Sequence, residues 1–363
     1  MLTLSSLDFT DLYLRLDSDV GPDSTAFYAS WNQTGGGILP VPDDLHDEIN
    51  SLRAILRDIP GRDFSISLSA MRLRGSRQHI FGSGEWVALR RFPLQPPPLE
   101  HLGFPKEIRQ IFRGWGRRTG LIVVGGSTRA GKTTTASACL TEWLKYYGRV
   151  AITIEDPVEY NIQGKVGEAG YCFQVEVARD EDWAEALKTA LRWAPRYIFL
   201  GEVRTSTAAR NLLRAATSGH LALCTVHGGS IEETLSALHQ IARGELGDTA
   251  WSLLGDGLCA VIHQALIDGK PEVQILQADP NNMGDAVRQL VRSGKVYQLG
   301  THISQQSALL GSEVRALAER SRDREGRISR PREEPRLSRS EVLPEEKVSR
   351  VRKRVGFWPF GNG

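Results

Sequence analysis

The run Gly126-Ser127-Thr128-Arg129-Ala130-Gly131-Lys132-Thr133 has the residue types and spacing to hold phosphate. It is a complete G-x-x-x-x-G-K-[ST] sequence between the apolar stretch Leu121–Val124 and the segment Thr134–Ala138, which predicts a strand before it and a helix after it. Glycines let the backbone wrap tightly, so that successive N–H groups point into one concavity. The helix N-terminus adds the positive end of its dipole. On this reading Lys132 reaches the β- and γ-phosphates and the Thr133 hydroxyl ligates Mg²⁺, while Gly126, Ser127, Thr128, Arg129, Ala130, Gly131 and Thr134 complete a nucleotide cradle. The competing reading is a glycine-rich turn between strand and helix; the Lys-Thr pair in register, with both flanks correct, argues against it.

Hydrolysis requires more than a cradle: a metal ion, a group that positions water, and positive charge set against the transition state. In α/β sheets such groups sit at the C-terminal ends of the strands. In Ile152–Glu159 an apolar run ends in Glu155, Asp156 and Glu159 around Pro157. Clustered carboxylates there suit Mg²⁺ or water orientation, or form a solvated acidic turn. In Tyr197–Arg204 an apolar run delivers Glu202, placed to polarise water, with Arg204 just after it; the alternative is a surface Glu–Arg pair. In Thr217–His227, His220 and His227 bracket an apolar strand. Their spacing is poor for one shared metal, so each is either structural or a sensor of the γ-phosphate from a neighbouring loop.

The elements that must position these groups follow from periodicity. Buried strands are predicted at Leu121–Val124, Val150–Ile154, Tyr197–Leu200 and Leu221–Val226, and helices at Lys132–Tyr146, Asp182–Trp193, Thr207–Ser218 and Ser230–Ala242. Short apolar strands alternating with helices argue for a parallel α/β sheet. Residues 1–92 read as a smaller α+β module: Leu12–Leu16, Phe64–Leu68 and Trp86–Arg90 alternate like strands, and Pro42–Arg57 has helical spacing. The proline-rich residues 93–98 read as a stiff connector. Residues 308–363 are rich in Arg, Glu and Ser and read as a largely disordered tail, with a frayed helix at Val314–Arg324. Its end, Arg350–Phe360, joins a basic cluster to aromatics and would dock on a partner or membrane surface, or stay solvated.

Composition sets the class. Hydrophobic content is 40%, charged content 24% and net charge +2, ordinary for a soluble globular chain and no global push toward nucleic acid. Cys139, Cys172, Cys224 and Cys259 form no C-x-x-C pair and read as small buried residues of a reducing compartment. No apolar run approaches a membrane span and no secretory signal is evident, so a cytoplasmic location is expected.

Together these segments resemble the secretion ATPase superfamily that powers type IV pili, type II secretion and type IV secretion. Gly120–Thr135 resembles its Walker A segment, Ile154–Glu159 its acidic box, Leu200–Arg204 its Walker B segment and Ser218–His227 its histidine box. The likeness covers roughly residues 60–307 and is nearest to the PilT retraction motors and the Dot/Icm and IncI-type conjugation ATPases. Ala286–Val291 is similar to a segment of the former, and Pro96–Leu99 after Leu89–Pro93 to the latter. The four-cysteine zinc element of the type II assembly ATPases is missing.

The resemblance implies a hexamer in which a PAS-like N-terminal domain (1–92) is joined by the 93–98 linker to a RecA-like P-loop ATPase domain (99–307), with ATP and Mg²⁺ between them. It implies Glu202 as catalytic glutamate and Glu159 as a supporting acid near the metal, through water. Arg72 and Arg90 match segments whose arginines face the phosphates, although each is also explicable as an exposed strand arginine. Arg204, His220 and His227 complete the implied catalytic set. Work on a pilus or secretion apparatus follows, through an inner-membrane platform protein that would hold the motor peripherally at the membrane, with no direct nucleic-acid binding. The rival functions are a catalytically weak nucleotide-gated scaffold and a RecA-like nucleic-acid motor. The sequence departs from the family at Ser127 and Arg129, where proline and glycine are usual, and at Arg196 and Thr205, where aspartates are usual.

Overall fold

A computed structural model of the chain describes residues 3–17, 26–29, 37–68, 71–92, 95–177, 179–279, 282 and 284–310. The expected tail helix at 314–324 and the basic-aromatic end lie outside the described residues. The first strands are β1 (Asp11–Arg15), β2 (Ala26–Ala29) and β3 (Ile38–Pro40). A short 3₁₀ turn at Asp43–Leu45 runs into α1 (His46–Asp58), so the helix predicted from Pro42 begins as a tighter turn. Then follow β4 (Asp63–Leu68), β5 (Met71–Ile80) and β6 (Gly84–Phe92). They form a six-stranded sheet in the order β3-β2-β1-β6-β5-β4, every pair antiparallel.

Alternation gives this sheet two unlike faces. Leu12, Leu14, Leu73, Val87 and Leu89 pack with Ile49, Leu52 and Leu56 of α1 in a buried core. The other face carries a cross-strand row in register: Ser65 opposite Arg74, Arg74 opposite Arg90, and Arg90 opposite Asp11.

The second sheet is built from β7 (Gly120–Gly126), β8 (Arg149–Glu155), β9 (Gly164–Val166), β10 (Gly170–Glu176), β11 (Tyr197–Leu200), β12 (Leu221–His227), β13 (Leu258–Ile267) and β14 (Lys270–Gln277). Its order is β14-β13-β7-β12-β11-β8-β10-β9, with β13 through β10 parallel and the two outermost strands antiparallel. The predicted parallel α/β sheet is therefore present, with the phosphate-loop strand near its middle. Helices cover it: α2 (Lys106–Trp115), α3 (Lys132–Tyr147), α4 (Asp182–Leu191), α5 (Ser206–Thr217), α6 (Ile231–Leu246), α7 (Thr249–Gly257) and α8 (Ala286–Arg292). One core joins Leu121, Ile152 and Ile198 to Leu212 and Leu235, and a second joins Ile122, Phe199 and Leu223 to Leu140 and Trp143. The four cysteines are free and buried.

The unusual residues have local duties. Thr205 caps α5, its hydroxyl accepting from the Ala208 N–H at 3.3 Å. Arg196 donates to the carbonyls of Arg117 (3.0 Å), Arg118 (2.7 Å) and Gly219 (3.2 Å), satisfying backbone at the N-terminal edge of the sheet. The described residues form one compact unit. Among the described residues no helix is long and apolar enough to cross a membrane.

Candidate active site

The polar face of the antiparallel sheet and the C-terminal ends of β8, β11 and β12 enclose a cavity of about 650 Å³. The phosphate loop forms one side of it, contributing Thr128, Arg129, Lys132 and Thr133. Gly126 has φ 153°, and a Cβ there would come 2.3 Å from the Gln264 carbonyl oxygen, so the close approach of β13 requires glycine. Gly131, at φ 80°, is the left-handed residue from which α3 starts. Gln264 braces the loop: its side-chain amide donates to the Ala130 carbonyl (2.6 Å) and its oxygen accepts from the Thr135 hydroxyl (2.8 Å). Arg129 sits exposed at the crest with φ 64°, a left-handed conformation costing a non-glycine residue about 1–2 kcal/mol.

Lys132 is buried, and its Nζ donates to the carbonyls of Gly126 (3.0 Å) and Ser127 (2.8 Å). Burial pushes its pKa down, against the pull of the Glu202 charge. Thr133 and Glu159 line the cavity together, and burial pushes the Glu159 carboxyl above its ordinary range against the pull of the Thr133 hydroxyl. Thr134 turns away from the cavity lining and bonds the Tyr160 hydroxyl at 2.8 Å. Glu155, which ends β8, is buried and lines the cavity. Its carboxylate accepts from Thr153 (2.7 Å) and Gln174 (3.1 Å), and burial raises its pKa despite those bonds.

Just past β11, Glu202 is gripped from both sides. One carboxylate oxygen lies 2.8 Å from His227 Nε2, and the other accepts from Arg204 Nε at 2.6 Å. Arg204 in turn reaches Asp156 at 3.1 Å. From the opposite wall come Asp11, Asp63, Arg74 and Arg90. Arg90 Nε donates to Asp11 at 2.8 Å.

The cavity thus brings together Thr128, Arg129, Lys132, Thr133, Glu159, Glu202, Arg204, His227 and Arg90 from the sequence reading. Two expectations are corrected. His220 precedes β12, at the opposite end of that strand from His227, and its ring bonds the Pro195 carbonyl at 2.7 Å. It lies at the far edge of the sheet from the cavity. Arg72 does not line the cavity; it pairs with Glu176 at the end of β10. Arg74, on the same strand face, lines the cavity instead. Glu155, Asp11 and Gln264 went without individual roles in the sequence reading. The carboxyl of Glu155 could have been suspected from its place at the end of an apolar strand; nothing local marks Asp11 or Gln264.

Oxygen donors converge on the loop: the Thr133 hydroxyl and the Glu159 carboxylate, with Glu155 and Asp156 beside them in the cavity wall. This donor set fits Mg²⁺, which takes one or two protein oxygens and draws its other ligands from phosphates and water. Among the described residues no cluster of three or more His, Cys, Asp or Glu forms a metal-binding group.

The family model for type II/IV secretion system proteins matches residues 61–314. The chain belongs to that family. It is similar to the uncharacterized protein YggR of Escherichia coli (strain K12), 33% identical over 281 residues that cover 76% of this chain and 83% of the relative. It is 31% identical to the type IV pilus retractation ATPase PilT of Pseudomonas aeruginosa over 250 residues, covering 68% and 70% of the two chains. The crystal structure of the pilus retraction motor PilT with bound ADP superposes with a TM-score of 0.64 at 26% identity, covering 83% of this chain and 89% of that one. These relatives place the chain in the secretion ATPase superfamily and on the PilT-like α/β fold expected from its motifs.

Proposed function

We propose that this family member is an ATPase motor that couples ATP hydrolysis to work in a pilus or secretion apparatus. One observation carries the reading. Lys132 and Thr133 of a complete phosphate loop share a single cavity with Glu159, Glu202 and His227 from the parallel sheet and Arg74 and Arg90 from the antiparallel sheet. Lys132 and the loop N–H groups would hold the β- and γ-phosphates. Thr133 and Glu159 would hold Mg²⁺, which when bound neutralises charge on the phosphate oxygens. Glu202, its direction fixed by His227 and Arg204, would orient the attacking water. Arg74 and Arg90 would meet the charge on the transferred phosphoryl group.

In this reading residues 1–92 and 99–307 act as two domains that close over the nucleotide. A cytoplasmic hexamer working against an inner-membrane platform protein follows from the likeness to pilus motors. A second reading, a nucleotide-gated subunit with weak turnover, is favoured by the occupation of both Glu202 oxygens by His227 and Arg204. Steady-state hydrolysis and equilibrium ATP binding separate the two. An ATPase predicts that Glu202→Gln binds ATP without turnover and Lys132→Ala loses binding. Wild-type turnover no faster than that of Glu202→Gln would favour the gated subunit, and unchanged hydrolysis in both variants would remove the assignment.

A further inference from the structure

Asp11 stands in the wall of the nucleotide cavity although nothing in its sequence surroundings suggests a role. It lies in a row of paired residues across three strands: Asp11 opposite Arg90, and Arg90 opposite Arg74. Like charges directly opposite on neighbouring strands destabilise a sheet. Here the pair of arginines is kept, and among the described residues the carboxylate that ion-pairs with it is Asp11, on the Arg90 side. Asp11 takes Arg90 by Nε at 2.8 Å. Among the described residues, the terminal nitrogens of Arg90 have no hydrogen-bond partner, and those of Arg74 have none either. The Asp11 side chain is 17% exposed and that of Arg90 52%, so the anchor is sheltered and the guanidinium it holds is open to the cavity.

A guanidinium is a rigid fork that binds phosphate best through two parallel N–H groups. An arginine on a free stem loses rotamer freedom when it grips an anion. One already held at Nε keeps its outer edge for the ligand and has less freedom to lose. We infer that Asp11 is a positioning residue for hydrolysis: it fixes Arg90 by Nε so that the outer edge of the guanidinium is presented to the phosphoryl group in transfer. This rests on the ATPase reading above. It assigns the two arginines unequal parts, with Arg90 oriented by the protein and Arg74 free to follow the ligand.

The test is a double-mutant cycle on the full chain, reading kcat and KM for ATP in wild type, Asp11→Asn, Arg90→Ala and the double variant, with Lys132→Ala as the control for the site. Asp11→Asn is expected to lower kcat by about tenfold, the scale of losing orientation rather than charge, with KM moving less than about twofold. Added to Arg90→Ala it should cost nothing further. Asp11→Glu, which keeps the carboxylate, should recover part of the loss. Melting temperatures of all variants close to wild type would exclude unfolding as the cause. The inference is overturned if Asp11→Asn keeps full kcat, or if it costs the same factor with Arg90 present and absent. If Lys132→Ala hydrolyses ATP as fast as wild type, the ATPase reading itself fails and this inference goes with it. If that variant is dead and the cycle is additive, only the role of Asp11 is lost.

Discussion

Glu202 and His227 stand 2.8 Å apart, carboxylate oxygen to Nε2, at the C-terminal ends of the adjacent parallel strands β11 and β12. The neighbouring strands place them side by side, and Arg204 holds the other carboxylate oxygen. A carboxylate fixed at both oxygens has a defined direction, which a water-orienting group needs.

His227→Ala removes one of the two restraints on Glu202. Turnover should fall by about 10²-fold, the scale of a misplaced catalytic group. ATP affinity should stay near wild type, because the phosphate loop is untouched. Single-turnover hydrolysis beside equilibrium ATP binding makes the comparison.

Arg74→Ala and Arg72→Ala should behave differently, although both side chains leave the same face of β5. Arg74 lines the cavity, so its loss should lower kcat/KM by about 10²–10³-fold, as for removing one preorganised donor. Arg72 pairs with Glu176 instead, and its loss should leave the chemistry of bound ATP within about tenfold of wild type. Equal losses in the two variants would contradict this assignment.

Activity should fall in acid with a midpoint above the ordinary carboxylate range. Burial raises the pKa of Glu159, so its charged form is lost at a higher pH than that of a free glutamate. A pH profile of kcat/KM in wild type should show that limb, and Glu159→Gln should lack it along with most of the activity.

Glu155 gives a stability prediction of fixed sign. Its folded-state pKa is raised by burial, so the fold favours the protonated form. Its contribution is full below the unfolded pKa and is lost as pH rises through the folded pKa. As pH rises above the ordinary glutamate range, the wild-type melting temperature should therefore carry a downward component that Glu155→Gln lacks. Thermal melts of both proteins across that rise provide the measurement.

At the loop crest, Arg129→Gly should relieve a left-handed residue. The net gain is about 0.5–1 kcal/mol after the extra freedom glycine has in the unfolded chain. The same change removes a positive charge from the cavity rim, so KM for ATP should rise. A denaturant midpoint and a substrate titration report the two effects separately.

How much could be read beforehand varied with how local the physics is. Tyr197–Leu200 was predicted to its end residues, because four buried apolar positions bounded by Pro195 and Gly201 leave little choice. That the phosphate loop, Glu159, Glu202 and His227 would meet at one end of the sheet was legible for the same reason: each lies at or just past the end of a short buried strand. The β13–β14 hairpin was not foreseen, since a long apolar run such as Leu258–Ile267 suits helix and strand alike. Arg72 and Arg74 share a strand face, so alternation cannot choose between them, and only the packing of one sheet against the other does. His220 could have been excluded in advance: a seven-residue strand is about 20 Å long, too far for both flanking histidines to attend one phosphate. Asp11 was beyond reach because its place in the cavity wall depends on pairing with residues far along the chain.

One oxygen of Glu176, Oε2, accepts both from Arg72 and from the backbone N–H of Val158 (3.0 Å). Val158 is the immediate neighbour of Glu159. A single carboxylate therefore ties β5 to the peptide that carries the acid beside Thr133. A tilt of the small sheet that kept this ion pair would be passed on to that peptide, as through a short tendon.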